Sequence, residues 1–357
     1  MGQRVVIGEL GEEPLQAIDE FARPVEMARP DPSTLGAHEV VVDVESAAVG
    51  WVDLIMASGQ YQHVPKPPYT PGLEYAGTIS WAGAEAGFAV GTRVLIDPFL
   101  AGPRSDGAYR AYGGFASYAV APREAVHVIP GALTFDQACN LLGNYETAYH
   151  CLIARGRLAA GETVLIHGAS GSVGLAAVHV AKLAGATVIA TGRSVNKLAV
   201  VKAQGADHVI DPGLSLRDEV KRLTGGRGVD VVYDGVGGPV SAASLRCVRF
   251  GARYLIVGWA ATPFVAKGKG ERGAPNANQL PTNLIMMKGL DVLGCPTVIS
   301  TLHDPSIRAA RLAQVMAWAS AGQLVPYVSR TYALSEFNAA LHAKWRGDFV
   351  GGVVLKP

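Results

Sequence analysis

The chain is poor in cysteine and in charge. Only four of its 357 residues are cysteine, Cys139, Cys151, Cys247 and Cys295. They are scattered and form no C-x-x-C pair, which excludes a disulfide framework and reads as reduced thiols filling a core. Charged residues make up 17%, with 31 basic against 30 acidic and a formal net charge of +1. That balance gives no electrostatic footprint for nucleic acid or an acidic membrane. No apolar run approaches the length of a membrane span. The start, Met1-Gly2-Gln3-Arg4-Val5-Val6, lacks the apolar core of a signal peptide, and Val6 departs from the myristoylation pattern. A cytoplasmic location is expected. The length and the 49% of hydrophobic residues suit two domains with sizeable cores.

What is present in quantity is glycine, and its most informative cluster lies in Thr163–Lys197, TVLIHGASGSVGLAAVHVAKLAGATVIATGRSVNK. Thr163–His167 reads as a strand, Gly168-Ala169-Ser170-Gly171-Ser172-Val173-Gly174 as a turn, Leu175–Leu183 as a helix and Thr187–Ala190 as a second strand. A helix that begins at a glycine turn presents unpaired N–H groups and the positive end of its dipole. Glycines there let a diphosphate approach the backbone. The strict G-x-G-x-x-G fingerprint is imperfect, because Ala169 holds the first glycine position while Gly171 and Gly174 hold the others. Glycine turns also end strands in proteins that bind nothing. With a strand on both sides, the unit predicts dinucleotide binding.

Before this unit the chain has short strands and frequent turns. Val40–Glu45, Thr92–Ile96 and Phe115–Val120 are strand candidates among recurrent glycine and proline, which predicts a β-rich domain. Thr134–Asn140 and Glu146–Arg155 read as helices. After the unit, strand and helix signals alternate. Helices are expected at Lys197–Gln204, Ser215–Leu223 and Val240–Val248, and strands at His208–Ile210, Val229–Tyr233, Arg253–Val257 and Leu290–Leu293. Such alternation means a parallel sheet with helices on both faces. Ala260–Asn283 interrupts the rhythm and reads either as a lid or as a tolerated surface insertion. A helix over Arg308–Ala321, an extended Tyr327–Tyr332, a helix opened by Leu334–Phe337 with Ser335 as its cap, and a strand at Val350–Leu355 complete the chain. The tail is too short to fold alone and is expected to return to the first domain.

These pieces, in this order, resemble the medium-chain dehydrogenase/reductase superfamily across nearly the whole chain. The anchors are Val49-Gly50-Trp51-Val52-Asp53, Pro71-Gly72-Leu73-Glu74-Tyr75-Ala76-Gly77, the glycine turn, Gly205-Ala206-Asp207 and Gly351-Gly352-Val353-Val354-Leu355. The resemblance implies an α/β protein: a GroES-like β-rich catalytic domain from residues 1–132 and 300–357, and a Rossmann doubly wound parallel sheet from 133–299. Many members are zinc alcohol dehydrogenases. At the positions of their zinc ligands this chain has Gly50, Leu73 and, near the third, Gly143, and Asp97–Gly114 has no cysteine for a structural zinc. None of these side chains donates to a metal, so no metal is expected and alcohol oxidation loses its Lewis acid. The chain is then similar to the zinc-free branch of quinone oxidoreductases, enoyl-thioester reductases and double-bond reductases of enones.

At the end of the second strand, where NAD-specific sites place a carboxylate, stands Gly192. Arg193, Ser194 and Lys197 follow and suit a 2′-phosphate, so the expected cofactor is NADPH. The resemblance implies cofactor contacts from Thr147, Gly168, Ala169, Ser170, Gly171, Ser172, Val173, Gly174, Gly235, Val236, Gly258 and Trp259. Asn144 and Tyr145 are near enough to Thr147 to line the same pocket. Asp53 matches an aspartate close to the nicotinamide pocket and also suits the start of a helix. Tyr61 matches a tyrosine of the substrate cleft that serves as proton donor in the enoyl branch, or merely lines the cleft. The family's quinone and enoyl branches commonly carry Asn at the position of Gly50. G-x-S-x-G within Gly168–Ser172 is the dinucleotide turn by position rather than a nucleophile elbow.

The function expected is NADPH-dependent hydride transfer to a quinone or an α,β-unsaturated carbonyl, with 2-enoyl-thioester reduction as the alternative. From another class stands a non-catalytic NADPH-binding protein, crystallin-like or vesicle-associated. A small-molecule substrate, no nucleic acid and no membrane are expected as partners. Family habit implies a homodimer joined along Leu290–Leu293.

Overall fold

A computed structural model of the chain describes residues 1–105, 107–260 and 278–357. Among these, Met1–Gly143 and Ala319–Pro357 form one compact unit, and residues 144–260 and 278–318 form another.

In the first unit, β1 (Gly2–Ile7) and β2 (Ala22–Met27) make an antiparallel hairpin. The main sheet is built on β3 (Glu39–Ala48), with β4 (Tyr75–Ala82), β5 (Arg93–Ile96), β6 (Tyr118–Pro122) and β7 (Val126–Val128). β3 is the hub because it pairs with both β4 and β6. Val40-Val41-Val42 is buried throughout, buried and open positions alternate only over Asp43–Ser46, and Ala47 and Ala48 are again both buried. Val40, Val42 and Val44 pack with Val5, Ile7, Ile79, Val94 and Phe115 in one apolar core. β6 begins at Tyr118, later than the pattern Phe115–Val120 suggests, because the Phe115 carbonyl is taken by Val5 N–H.

The second unit holds β8 (Thr163–Ile166), β9 (Thr187–Thr191), β10 (His208–Ile210), β11 (Val229–Asp234), β12 (Val248–Ile256) and β13 (Asp291–Gly294). All pair in parallel, in the order β10-β9-β8-β11-β12-β13. This is the expected doubly wound sheet. The order reverses between β8 and β11, so the crevice for a ligand falls at their carboxyl ends. Most boundaries shift by a few residues from the sequence pattern, and two differences have a clear physical cause. The helix after β11 is Pro239–Ser244 and Val248 already belongs to β12, because Cys247 O accepts from Val229 N–H and Val248 lies opposite Val229 in the ladder. The helix Leu142–Tyr149 passes into wider π-type turns over His150–Arg155.

The chain then returns to the first unit. β14 (Val328–Ala333) pairs in parallel with β15 (Gly352–Lys356), and β15 pairs antiparallel with β3. Ser335 does not cap the helix Phe337–Arg346. The Glu336 carboxylate accepts from Ala333 N–H at 2.8 Å instead, since it can reach back over a single turn. Of the expected loop 260–283, residues 261–277 lie outside the described residues. Among the described residues no helix is long and apolar enough to cross a membrane.

Candidate active site

The second unit positions the glycine turn. β8 is buried at every residue and His167 N–H donates to Tyr233 O, which anchors the strand end against β11. Gly168 then turns with φ +64, a left-handed conformation that favours glycine. Ala169 is fully buried and donates its N–H to Thr191 O, so its methyl group faces the protein and not a ligand. Gly171 is the N-cap of the helix Ser172–Leu183, and the first rung of the helix is Leu175 N–H to Gly171 O. The amides of Ser172, Val173 and Gly174 therefore precede the ladder, where an anion is favoured.

Neighbouring strand ends close around this turn. A Cβ on Gly168 would meet Val236 Cγ2 at 3.0 Å, and one on Gly258 would meet Gly235 O at 3.4 Å. A Cβ on Gly235 would have nothing within 4 Å, so that position leaves open space. Trp259 follows half-buried. A Cβ on Gly192 would meet Leu198 at 3.3 Å and lie 3.8 Å from Ser170 Oγ. Ser170 thus belongs to the end of β9 as well as to the turn. Arg193 is exposed and Lys197 half-buried, while Ser194 is the N-cap of the helix Val195–Ala203 without a side-chain cap bond. These residues fit a dinucleotide.

Sequence reasoning missed the polar groups that hold these ends. His167 joins Thr191 Oγ1 through Nδ1 at 2.7 Å and Ser244 Oγ through Nε2 at 2.6 Å. Ser244 donates to Val240 O, so His167 Nε2–H donates to Ser244 and Nδ1 accepts from Thr191. The ring is neutral, and burial lowers its pKa to about 4, against the pull of Asp234. Asp234 Oδ1 accepts from Val236 and Gly237 N–H at 2.8 and 3.0 Å, and Oδ2 accepts from the Ser241 and Tyr254 hydroxyls. Also missed was the end of β13. It runs parallel to β12, and Cys295 N–H donates to Ile256 O, so 295–297 reach the same rim of the sheet.

The helix Leu142–Tyr149 carries Thr147, half-buried. Its neighbour Glu146 is buried and accepts from Arg308 Nε and Nη2 at 3.0 and 2.8 Å and from Arg311 Nε at 2.9 Å. That ion triad fixes the helix on which Thr147 stands. Tyr145 stands two residues before Thr147. It is buried, with its hydroxyl 2.8 Å from His179 Nδ1 on the helix after the glycine turn.

In the first unit, Asp53 stands third in the helix Trp51–Ala57 and is 2% exposed. Oδ2 accepts from Gly50 N–H at 2.9 Å, and Oδ1 from Gly72 and Leu73 N–H at 3.0 and 3.2 Å. One carboxylate therefore starts the helix and ties down the loop before β4. Burial raises its pKa, while those three N–H groups and the charge of Arg104 oppose the rise. Tyr61 is half-buried, with the Arg104 guanidinium 5.8 Å from its ring centroid and the His63 ring at 6.0 Å.

The positions that would ligate zinc do not fit it. Gly50 has no donor, Leu73 is buried and apolar, and a Cβ on Gly143 would strike Glu74 Oε2 at 2.6 Å. Glu74 Oε1 is already bonded to Gly143 N–H at 2.6 Å. Among the described residues no group of three or more His, Cys, Asp or Glu is arranged to hold a metal.

A parallel sheet with a glycine turn at its switch point is the geometry of a dinucleotide-binding unit, and the relatives of the chain make the class a nicotinamide-dependent oxidoreductase. Residues 36–131 match the alcohol dehydrogenase GroES-like domain, and residues 172–310 match a family described as zinc-binding dehydrogenase. The chain is 31% identical over 355 residues to the quinone oxidoreductase-like protein 2 homolog of Nematostella vectensis, covering 98% of this chain and 88% of that one. It superposes on a probable oxidoreductase from Mycobacterium abscessus with TM-score 0.80 at 28% identity, covering 100% and 99% of the two chains. On mycobacterial Rv1454c complexed with NADPH the TM-score is 0.78 at 25% identity, covering 100% of both. The chain belongs to the medium-chain dehydrogenase/reductase superfamily, in its quinone oxidoreductase-like branch.

Proposed function

We propose that this oxidoreductase uses NADPH to reduce a quinone or an α,β-unsaturated carbonyl without a metal. The end of β9 carries the cofactor reading. Gly192 offers no carboxylate to repel a 2′-phosphate, and Arg193, Ser194 and Lys197 follow it with two cations and a hydroxyl. The mycobacterial relative complexed with NADPH supports the same choice. The turn Gly168–Gly174 takes the diphosphate on its amides, Gly235, Val236, Gly258 and Trp259 flank the cofactor, and Thr147 lies toward the nicotinamide.

When bound, NADPH supplies a hydride. An electrophilic carbon conjugated to a carbonyl accepts it, and the enolate or reduced ring that results needs one proton. Tyr61 provides a phenol for that proton. Asp53 fixes the backbone at Gly50, Gly72 and Leu73 and so acts by positioning. With no zinc donors at 50, 73 and 143, polarisation of an alcohol oxygen has no support.

The cofactor choice is tested by comparing kcat/KM for NADPH and NADH in the parent and in Arg193→Ala/Lys197→Ala. Loss of two charge-assisted contacts is expected to lower the NADPH value by about 10–100-fold and to leave NADH little changed. A parent that prefers NADH, or a variant with unchanged NADPH affinity, refutes the choice. We also propose that two chains pair along β13, which ends the six-stranded sheet and, among the described residues, leaves one edge unpaired. Light scattering that returns a monomer mass refutes the pairing.

A further inference from the structure

The Arg104 guanidinium in the first unit lies against two aromatic rings, 5.8 Å from the centroid of Tyr61 and 5.2 Å from that of Phe99. Aromatic rings attract such a cation through their faces, and that attraction uses none of its N–H donors. Among the described residues those donors make no hydrogen bond or ion pair, and Nε is buried without a partner. Asp53 senses the charge of Arg104, but its carboxylate is buried and already accepts three backbone N–H bonds. Arg104 itself is half-buried, so water does not surround it as it would a surface side chain. A half-buried guanidinium with aromatic faces and unused edges is a receptor for a planar anion. A carboxylate matches a guanidinium edge with two parallel hydrogen bonds, and its flat π-system continues into a conjugated acceptor.

We propose that Arg104 is a specificity residue that selects a conjugated acceptor bearing a carboxylate, such as a 4-oxo-2-enoic acid. The carboxylate takes the guanidinium edge, and the conjugated carbons lie along the neighbouring Tyr61 ring. This rests on reading the protein as a reductase of conjugated carbonyls with Tyr61 in its substrate cleft.

The test compares two acceptors with one carbon skeleton, trans-4-oxo-2-pentenoic acid and its methyl ester, at neutral pH with NADPH. The ratio of their kcat/KM values is measured in the parent, Arg104→Gln and Arg104→Lys. The acid-to-ester ratio is expected to fall by at least about tenfold in Arg104→Gln, with the change mainly in the KM of the acid. Arg104→Lys keeps the charge and loses the planar fork, so it should fall between; it also serves if the Gln variant does not fold, as judged by its melting temperature and NADPH binding. A ratio unchanged within about twofold, which includes equal losses for both acceptors, overturns the proposal. So does a parent that reduces the ester and not the acid, which leaves the reductase reading standing. A parent that reduces neither, nor any simple quinone or enone, overturns the reductase reading itself.

Discussion

A Cβ on Gly174 would sit 2.2 Å from the carbonyl oxygen of Gly168, nearer than any real side-chain carbon approaches an oxygen. Both atoms belong to fixed backbone, one at the start of a helix and the other at the end of β8, so neither yields cheaply. Gly174→Ala is therefore expected to lower stability by about 1–3 kcal/mol through overpacking. It also displaces the first-turn amides, so NADPH binding should weaken in calorimetric titration. Gly171→Ala is the matched control, since its nearest neighbour would be 3.4 Å away and its φ is −74. Equal behaviour of the two variants contradicts this view of the turn.

Glu146 pairs with two buried arginines, Arg308 at 2.8 Å and Arg311 at 2.9 Å. Glu146→Gln keeps the volume and removes the charge. Breaking a buried ion pair from one side typically costs about 3–5 kcal/mol, because the remaining charge stays buried. A clear fall in the denaturation midpoint is expected, with a weakened nicotinamide end of the cofactor site because Thr147 stands on the same helix. A midpoint shift worth under about 1 kcal/mol speaks against the triad as the anchor of this helix.

Tyr61→Phe removes a hydroxyl and keeps the ring beneath Arg104. If the phenol delivers the proton, kcat should fall by roughly 10²-fold or more while KM changes little. Intact turnover leaves Tyr61 as a ring that lines the cleft, with water as the proton source.

Acid should destabilise the fold before ordinary carboxylates titrate. Burial lowers His150, His167 and His179 from 6.5 to about 4, with Arg311 and Arg155 adding to the effect at His150. As pH falls through 6.5, the unfolded chain takes up protons that the folded chain refuses, so stability drops with pH. Each histidine contributes a slope of at most about 1.4 kcal/mol per pH unit. Urea midpoints between pH 6.5 and 5 test this. The slope should shrink in His179→Gln, and a flat profile in the parent contradicts it.

The βαβ unit was legible because its strands, glycine turn and helix are local and strongly patterned. The alternating elements from His208 to Val232 were legible for the same reason. The exchange of helix for strand at Val248 was not, because the Val229–Val248 pairing is a contact between distant residues and overrides local helical spacing. The hairpin over Gly2–Met27 has weak periodicity and depends on tertiary packing, whereas the helix at Asp53 was legible from the aspartate and the apolar run after it. At the site, residue types at the end of β9 could be read directly. The roles of His167, Asp234 and Glu146 could not, because each acts through partners many residues away.

The most direct measurement is NADPH oxidation, followed by its loss of absorbance, against a panel of quinones, enones and 2-enoyl thioesters with a chelator present. Turnover of conjugated acceptors, undiminished by the chelator and absent with saturated ketones, is the result expected of a metal-free reductase. Tight NADPH binding with no turnover anywhere in the panel contradicts it and identifies instead a protein that binds the cofactor without catalysis.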